Sequence, residues 1–431
     1  MKPGAALPGV DRRRFVQLAA LSGAALLAGC GSSEPLANRR PVKLGFVSPQ
    51  SGPLFTFGDA DGFVLDAVRQ RFKDGLDIGQ RAHPLQVLVK DSQSDAVRAR
   101  EVAEQLIDQQ VHLMLVSSTP ETTNPVADAC EQAGVPCVST VTPYQTWFLD
   151  RNPAQHPENP RPYQWTWHFF WGLEDLISVF ADMWEQVENN QVLGGLWPDD
   201  DDGRAFARGF PAALEPQGYR VVDPGRYRNE KGSFRGEIQR FQDAGADIVT
   251  GVPMPPDFAT FWKQAGEEGY KPKIATVCKA ALFPAFLEAM GDAAGISAEV
   301  WWSPNHPFRS SLTGEHAADL AGAYTTATGR QWTQPIGFAH ALFEVAVHVL
   351  QRAGDVGDRQ AVVDAIEATN LDTIVGPVNW TSRLADFPNV ARTPLVGGQW
   401  RKGSRWPFEL EIVSNATHPE IPATGSLQPI V

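Results

Sequence analysis

From Val42 onward, short runs of β-branched and aliphatic residues alternate with stretches whose apolar residues repeat at helical spacing, and this alternation constrains the chain more than any other feature. The runs VKLGFV (42–47), LQVLV (85–89), VHLMLV (111–116) and VPCVSTV (135–141) are mostly apolar and read as strands buried on both faces. Between them Val64, Val68 and Phe72, and then Ala99, Val102, Ala103, Leu106 and Ile107, mark amphipathic helices. Strand, helix, strand, helix in that order predicts α/β architecture with a doubly wound parallel sheet. After a Pro- and aromatic-rich interruption at 143–172 the pattern restarts with VLGGLW (192–197), YRVVD (219–223), DIVTGV (247–252) and KIATV (273–277), and helices start near Gly203, Ser233, Asp257 and Ala280. Two such lobes are expected. The remainder, with an apolar helix at 338–350 and late strands at 373–380 and 400–413, is long enough to return to the first lobe and form a hinge of crossing segments.

The 431 residues are 43 % hydrophobic, enough for two or three ordinary domains with real cores. The net charge of −13 disfavours a phosphate backbone or an anionic lipid surface, so no nucleic-acid partner is expected. Residues 11–34 read DRRRFVQLAALSGAALLAGCGSSE, which resembles a twin-arginine export signal joined to a lipoprotein signal. Arg13 and Arg14 would be the recognised pair, with Arg12 and Arg13 as the alternative. Cys30 would carry the lipid, making 1–29 a signal peptide and 30–41 a polar tether, with the lipid as the sole membrane contact. Cys130, Cys137 and Cys278 fit neither a zinc site nor a disulfide framework, although a Cys130–Cys137 bridge stays open.

In open parallel sheets, ligands sit beyond the carboxyl ends of the strands, which here places loops 48–59, 117–124, 140–146, 197–203, 253–257 and 278–280 around a cleft. These loops are rich in hydroxyls and aromatics. No dinucleotide fingerprint, phosphate-binding glycine loop, nucleophile elbow or zinc-protease motif is present, so neither enzyme activity nor a cofactor is expected. His340 and His348 lie eight apart on one apolar helix without further ligands, which suits core histidines better than a metal. Asp199 to Asp202 before Gly203 fails as an EF-hand, because Pro198 and Gly209 fall where ligands are needed. The last acid of that run either caps the following helix or touches ligand.

SGPLFTFGDADGFVLDAV (51–68), LQVLVKDSQSDAVRAREVAEQLI (85–107), SSTPETTNPVADACEQAGVP (117–136) and IVGPVNW (374–380) follow the order and spacing of leucine/isoleucine/valine-type substrate-binding proteins. The chain thus resembles type I periplasmic binding proteins over nearly all of 42–413. The resemblance implies two lobes joined by three crossovers, the first comprising 42–165 and 306–375 and the second 166–305 and 376–431. It also implies a small-molecule ligand held by cleft closure, and an ABC permease with a cytoplasmic ATPase as partner. A ligand sensor signalling to a membrane receptor is the alternative on the same fold.

Carried over by position, Phe57 would stack on the ligand. Ser117, Ser118 and Thr119, facing Thr140, Val141 and Thr142, would grip its carboxylate. Asp202 and Met254 fall where the family has tyrosines, and Lys279 replaces the acid that pairs with an amino acid's ammonium. With Tyr144 and Trp197 adding aromatic surface, the expected ligand is an aromatic or apolar carboxylate, with a branched-chain amino acid as the alternative. Lys279 either faces that ligand or extends to solvent.

Overall fold

The computed structural model describes residues 35–430 except 153, 292 and 383–386. Arg13, Arg14 and Cys30 lie outside the described residues. The described residues from Pro41 onward belong to one compact unit.

The first pass of the chain runs β1 (Val42–Ser48), α1 (Asp61–Arg71), β2 (Leu85–Asp91), α2 (Ala96–Asp108), β3 (Leu113–Ser117), α3 (Pro120–Ala133), β4 (Cys137–Thr140), α4 (Tyr144–Leu149) and β5 (Thr166–Phe169). The second runs α5 (Leu173–Glu185), β6 (Val192–Pro198), α6 (Asp201–Leu214), β7 (Arg220–Val222), β8 (Arg226–Tyr227), α7 (Arg235–Ala244), β9 (Ile248–Gly251), α8 (Pro255–Glu267), β10 (Ile274–Val277), α9 (Pro284–Met290) and β11 (Ser297–Val300). The chain then builds α10 (Ala317–Thr328), α11 (Pro335–Ala353) and α12 (Arg359–Glu367), and closes with β12 (Val390–Ala391), β13 (Val396–Lys402) and β14 (Phe408–Ser414). Two hairpins, Leu76–Ile78 with Arg81–His83 and Asn370–Thr373 with Gly376–Asn379, stand apart from the main sheets.

The first sheet has the order β12-β5-β4-β3-β1-β2 and is parallel throughout. The second has the order β8-β6-β9-β10-β11-β13-β14 with β7 also on β6, and turns antiparallel at β13 and β14. Sheet membership therefore requires three crossings between the lobes: after β5, between β11 and β12, and between β12 and β13. The inner parallel strands β1, β3, β4, β9 and β10 are buried almost throughout, whereas the edge strand β2 is half-buried.

The lobe boundaries need correction. Strand β5 begins at Thr166 and pairs with β4, and β12 pairs with β5, so both lie in the first sheet rather than the second lobe. Strand β5 sits inside the Pro- and aromatic-rich stretch and reads TWHF, too short for any period to emerge. It is secured instead by tertiary contacts. His168 lies opposite Ser139 with Nδ1 2.8 Å from its hydroxyl, its Nε2–H donates to the Thr142 carbonyl at 2.7 Å, and Trp147 stacks on its ring at 4.9 Å.

Helix α11 is buried on nearly every face. His340 is bonded to Ser310 Oγ at 2.8 Å. One turn on, the Glu344 carboxyl accepts from Ser311 Oγ at 2.9 Å and Ile374 N at 3.0 Å, pinning the crossing segment. No group of three potential metal ligands occurs among the described residues, and none of their helices is long and apolar enough to cross a membrane.

Candidate ligand-binding cleft

The two sheets point their carboxyl ends at each other, and the cleft is built from turns that leave strands. After β1 the chain is held by Asp91, whose carboxylate accepts from Gln50 N at 3.0 Å and Ser51 Oγ at 2.6 Å. That anchor presents Phe57 on a 3₁₀ turn, where its ring meets Phe283 of the second lobe edge to face at 5.1 Å. Thr119 occupies the cap position of α3 without a cap bond, so its buried Oγ1 has no partner, and neither does Ser118 Oγ. Thr142 Oγ1 donates to the Ser118 carbonyl at 2.9 Å and Thr140 Oγ1 to the Phe169 carbonyl at 2.7 Å, so these two hydroxyls brace the loops.

From the second lobe, the loop after β6 carries the acidic run. Asp200 caps α6 by accepting from Gly203 N at 2.7 Å, so the helix starts at Asp201 and Asp202 falls in its first turn, turned inward. Gly203 is required by close approach: a Cβ there would lie 1.9 Å from the Pro198 carbonyl oxygen. After β10, Lys279 has φ +50° and ψ −63°, and Ala280 N–H returns to the Cys278 carbonyl, which makes a γ-turn centred on the lysine. Val141, across the cleft, has φ +70°. One non-glycine residue from each lobe is therefore held in a costly backbone conformation at the site, as functional turns often require.

Between the lobes lies a cavity of about 30 Å³. Phe57, Thr119, Val141 and Pro143 form its first-lobe wall; Asp202, Phe206, Lys279, Leu282 and Glu299 form the facing wall. Phe170, Trp171 and Trp301, all on crossing segments, close the back. Phe170 stands 5.2 Å from Trp301, which is fixed by Gln334 accepting from its backbone N–H at 2.8 Å.

The charges are arranged around Lys279. Its Nζ lies 2.8 Å from Asp202, 3.7 Å from Asp200 and 3.9 Å from Glu121 of the facing lobe. Burial opposes its charge, but the three carboxylates outweigh burial and raise its pKa well above the usual lysine value. Burial pushes Asp202 up to about 7, with Lys279 pulling it back and Glu121 and Asp200 adding to the rise. Burial likewise pushes Glu299 up to about 8, against bonding from the Cys278 thiol.

Of the residues singled out from sequence, Phe57, Thr119, Val141, Asp202 and Lys279 line the cavity, and Ser117, Ser118, Thr140 and Thr142 lie buried in the strand ends and turns beside it. Lys279 is not extended to solvent. Tyr144, Trp197 and Met254 do not line the cavity. Tyr144 bonds Glu174 and packs 5.5 Å from Phe387, and Trp197 packs on Phe210 at 5.3 Å inside the second lobe. Met254 is buried where α8 begins. Sequence reasoning missed Glu121, Phe206, Glu299, Trp171 and Trp301. Glu121 belongs to loop 117–124, which its place at a strand end already puts beside the cleft. The two tryptophans closely follow strands β5 and β11, a position that marks cleft residues once those strands are known.

A family model described as periplasmic binding protein matches residues 41–403. No curated protein matches the chain. Among solved structures, the leucine-binding protein LivK of Thermotoga maritima is 16 % identical, with 87 % of this chain and 99 % of that one covered at a TM-score of 0.71. A solute-binding protein of an ABC transporter from Rhodopseudomonas palustris BisB5, in complex with 3,4-dihydroxybenzoic acid, is 16 % identical over 86 % and 96 % of the two chains, with a TM-score of 0.68. The branched-chain amino acid transporter substrate-binding protein LivJ of Streptococcus pneumoniae, in complex with isoleucine, is 15 % identical over 87 % and 100 %, with a TM-score of 0.68.

Proposed function

This chain belongs to the periplasmic binding protein family, and we propose that it is the solute-binding component of an ABC importer, capturing a small organic molecule by cleft closure and presenting it to a permease. The observation that carries this reading is the cavity itself, walled by both lobes and backed by the crossing segments. At about 30 Å³ it has room for about one or two waters. An amino acid or a benzoate ring needs more, so the lobes must part to admit a ligand and close again upon it. Phe57, Phe206, Trp171 and Trp301 suit an aromatic or apolar body. The R. palustris and S. pneumoniae proteins, which hold a dihydroxybenzoic acid and isoleucine, give the scale of molecule expected.

The expectation of a carboxylate on that body rested chiefly on Lys279 standing where the family keeps an acid, together with the aromatic surface near it. Asp202 occupies the lysine instead, so that ground is lost. Export through Arg13 and Arg14 and a lipid on Cys30 complete the proposal, since an importer's receptor works outside the cytoplasmic membrane. The test is to denature the purified protein, identify any released small molecule by mass spectrometry, and measure its uptake by cells with and without this chain. Uptake that does not depend on the chain would overturn the reading.

A further inference from the structure

The cleft holds more carboxylates than its lysine can satisfy. Asp202, Asp200 and Glu121 converge on one ammonium, leaving a formal surplus of two negative charges. Both oxygens of Glu121, Oδ1 of Asp202 and Oε2 of Glu299 are buried with no hydrogen-bond partner. Asp202 and Glu299 are each 2 % exposed, and both line the cavity. An ionised carboxylate only accepts hydrogen bonds, and a buried one left unpaired is costly. Once Asp202 and Glu299, raised to about 7 and about 8, have lost their protons, a ligand that donates relieves that cost.

In the loop expected to grip a ligand carboxylate the Ser118 and Thr119 hydroxyls are without partners, but the backbone N–H groups that follow them are not available. Helix α3 opens with Pro120, which has no N–H, and the N–H groups of Thr122 and Thr123 both return to the Thr119 carbonyl, at 3.2 and 3.0 Å. Glu121 brings its own carboxylate to that first turn, where an anionic ligand would otherwise be favoured.

We infer that the cleft takes an organic cation, an ammonium group on an aromatic or apolar body with no carboxylate of its own, held at the cavity wall by the orphaned oxygens of Asp202 and Glu299, with Glu121 of the first lobe adding its negative charge from beside Lys279. The ammonium donates to the orphaned oxygens and neutralises the surplus charge. The aromatic walls receive the body and favour the adjacent positive charge through their ring faces. Lys279 repels the ligand less than the acids attract it, because its own charge is already outnumbered. This inference rests on the solute-binding reading.

Melting curves and calorimetry on the purified protein, stripped of bound molecules by unfolding and refolding, test it with a matched panel of phenethylamine, tyramine and agmatine against phenylacetate, 4-hydroxybenzoate and phenylalanine. Ammonium compounds without a carboxylate should raise the melting temperature, with affinity increasing from pH 6 to 8.5 as Asp202 and Glu299 give up protons in the presence of Asp200, Glu121, Lys279 and Cys278. Glu299→Gln should weaken that binding at pH 8.5 roughly ten- to a hundredfold, as expected for loss of a charged hydrogen bond, and Glu121→Gln should weaken it less without lowering the unliganded melting temperature. Tighter binding of the carboxylates or of phenylalanine would overturn the inference and leave the solute-binding reading intact. If neither class binds and no small molecule is released from the native protein, both fail.

Discussion

Lys279 Nζ and the Asp202 carboxylate lie 2.8 Å apart, with their side chains only 6 % and 3 % exposed, inside a cleft that two other acids also enter. A buried pair of this kind contributes little net stability while intact but is expensive to break, because the surviving charge is stranded. Lys279→Met should therefore cost on the order of 3–5 kcal/mol. The double variant Lys279→Met/Asp202→Leu should recover part of it. Urea denaturation of the three proteins checks this; a loss below about 0.5 kcal/mol, as for an ordinary surface position, would contradict the pairing.

Stability should fall as pH rises above neutrality. Burial raises Asp61 to about 7, Asp202 to about 7, Glu299 to about 8 and Glu344 to about 7. In the unfolded chain such groups lose their protons near pH 4, so the native state binds more protons from there up to about pH 8, and its stability declines through that window. His168, His306 and His340, depressed by burial to about 3, 3 and 4, act oppositely, but only below their unfolded value near 6.5. Between pH 6.5 and 8.5 the acids alone remain, and calorimetric melting should show a steady decline that is shallower in Glu299→Gln.

Phe57 meets Phe283 across the cleft, and the proposed closure should draw on that contact. An edge-to-face pair is worth about 0.5–1.5 kcal/mol beyond its buried area. Phe57→Ala should weaken ligand binding by a few- to tenfold and shift the population toward the open form. Small-angle scattering with saturating ligand reads the second effect as a larger radius of gyration than that of the wild type.

Gly203 and Gly236 should respond oppositely to alanine. At Gly203 a Cβ meets the Pro198 carbonyl at 1.9 Å, so the start of α6 must shift and carry Asp202 with it. Both stability and ligand affinity should drop. Gly236, in α7, has no atom within 4 Å of the added carbon, and its replacement should stabilise by about 0.5–1 kcal/mol through helix propensity. Thermal melts of the two variants check the opposite signs.

Replacing Arg13 and Arg14 together with lysine should leave precursor in the cytoplasm, and Cys30→Ser should release protein that the wild type holds in the membrane fraction. Fractionation with mass measurement of the N-terminus checks both. Wild-type protein that is soluble and still carries residues 1–29 would contradict the proposed export and anchoring.

What the residues determined by themselves is local and periodic. Runs such as VKLGFV and DIVTGV favour strands, because β-branched and apolar side chains on both faces suit a buried parallel sheet, and Val64 with Val68 or Val102 with Leu106 at helical spacing mark the helices that cover it. The loops of the cleft followed from the carboxyl ends of those strands, and the resemblance to the binding-protein family picked Phe57, Thr119 and Lys279 out of them. Tertiary structure alone placed TWHF and the two-residue Val390–Ala391 strand in the first sheet, since segments so short carry no period and owe their conformation to neighbouring strands. It also decided which side chains turn inward: Tyr144 and Trp197 satisfy their own lobes, whereas Trp171 and Trp301 face the cavity from crossing segments. The sign of the site's charge was decided last. Lys279, Asp202 and Glu121 are distant in sequence and come from two lobes, so their balance of charge exists only when the lobes meet.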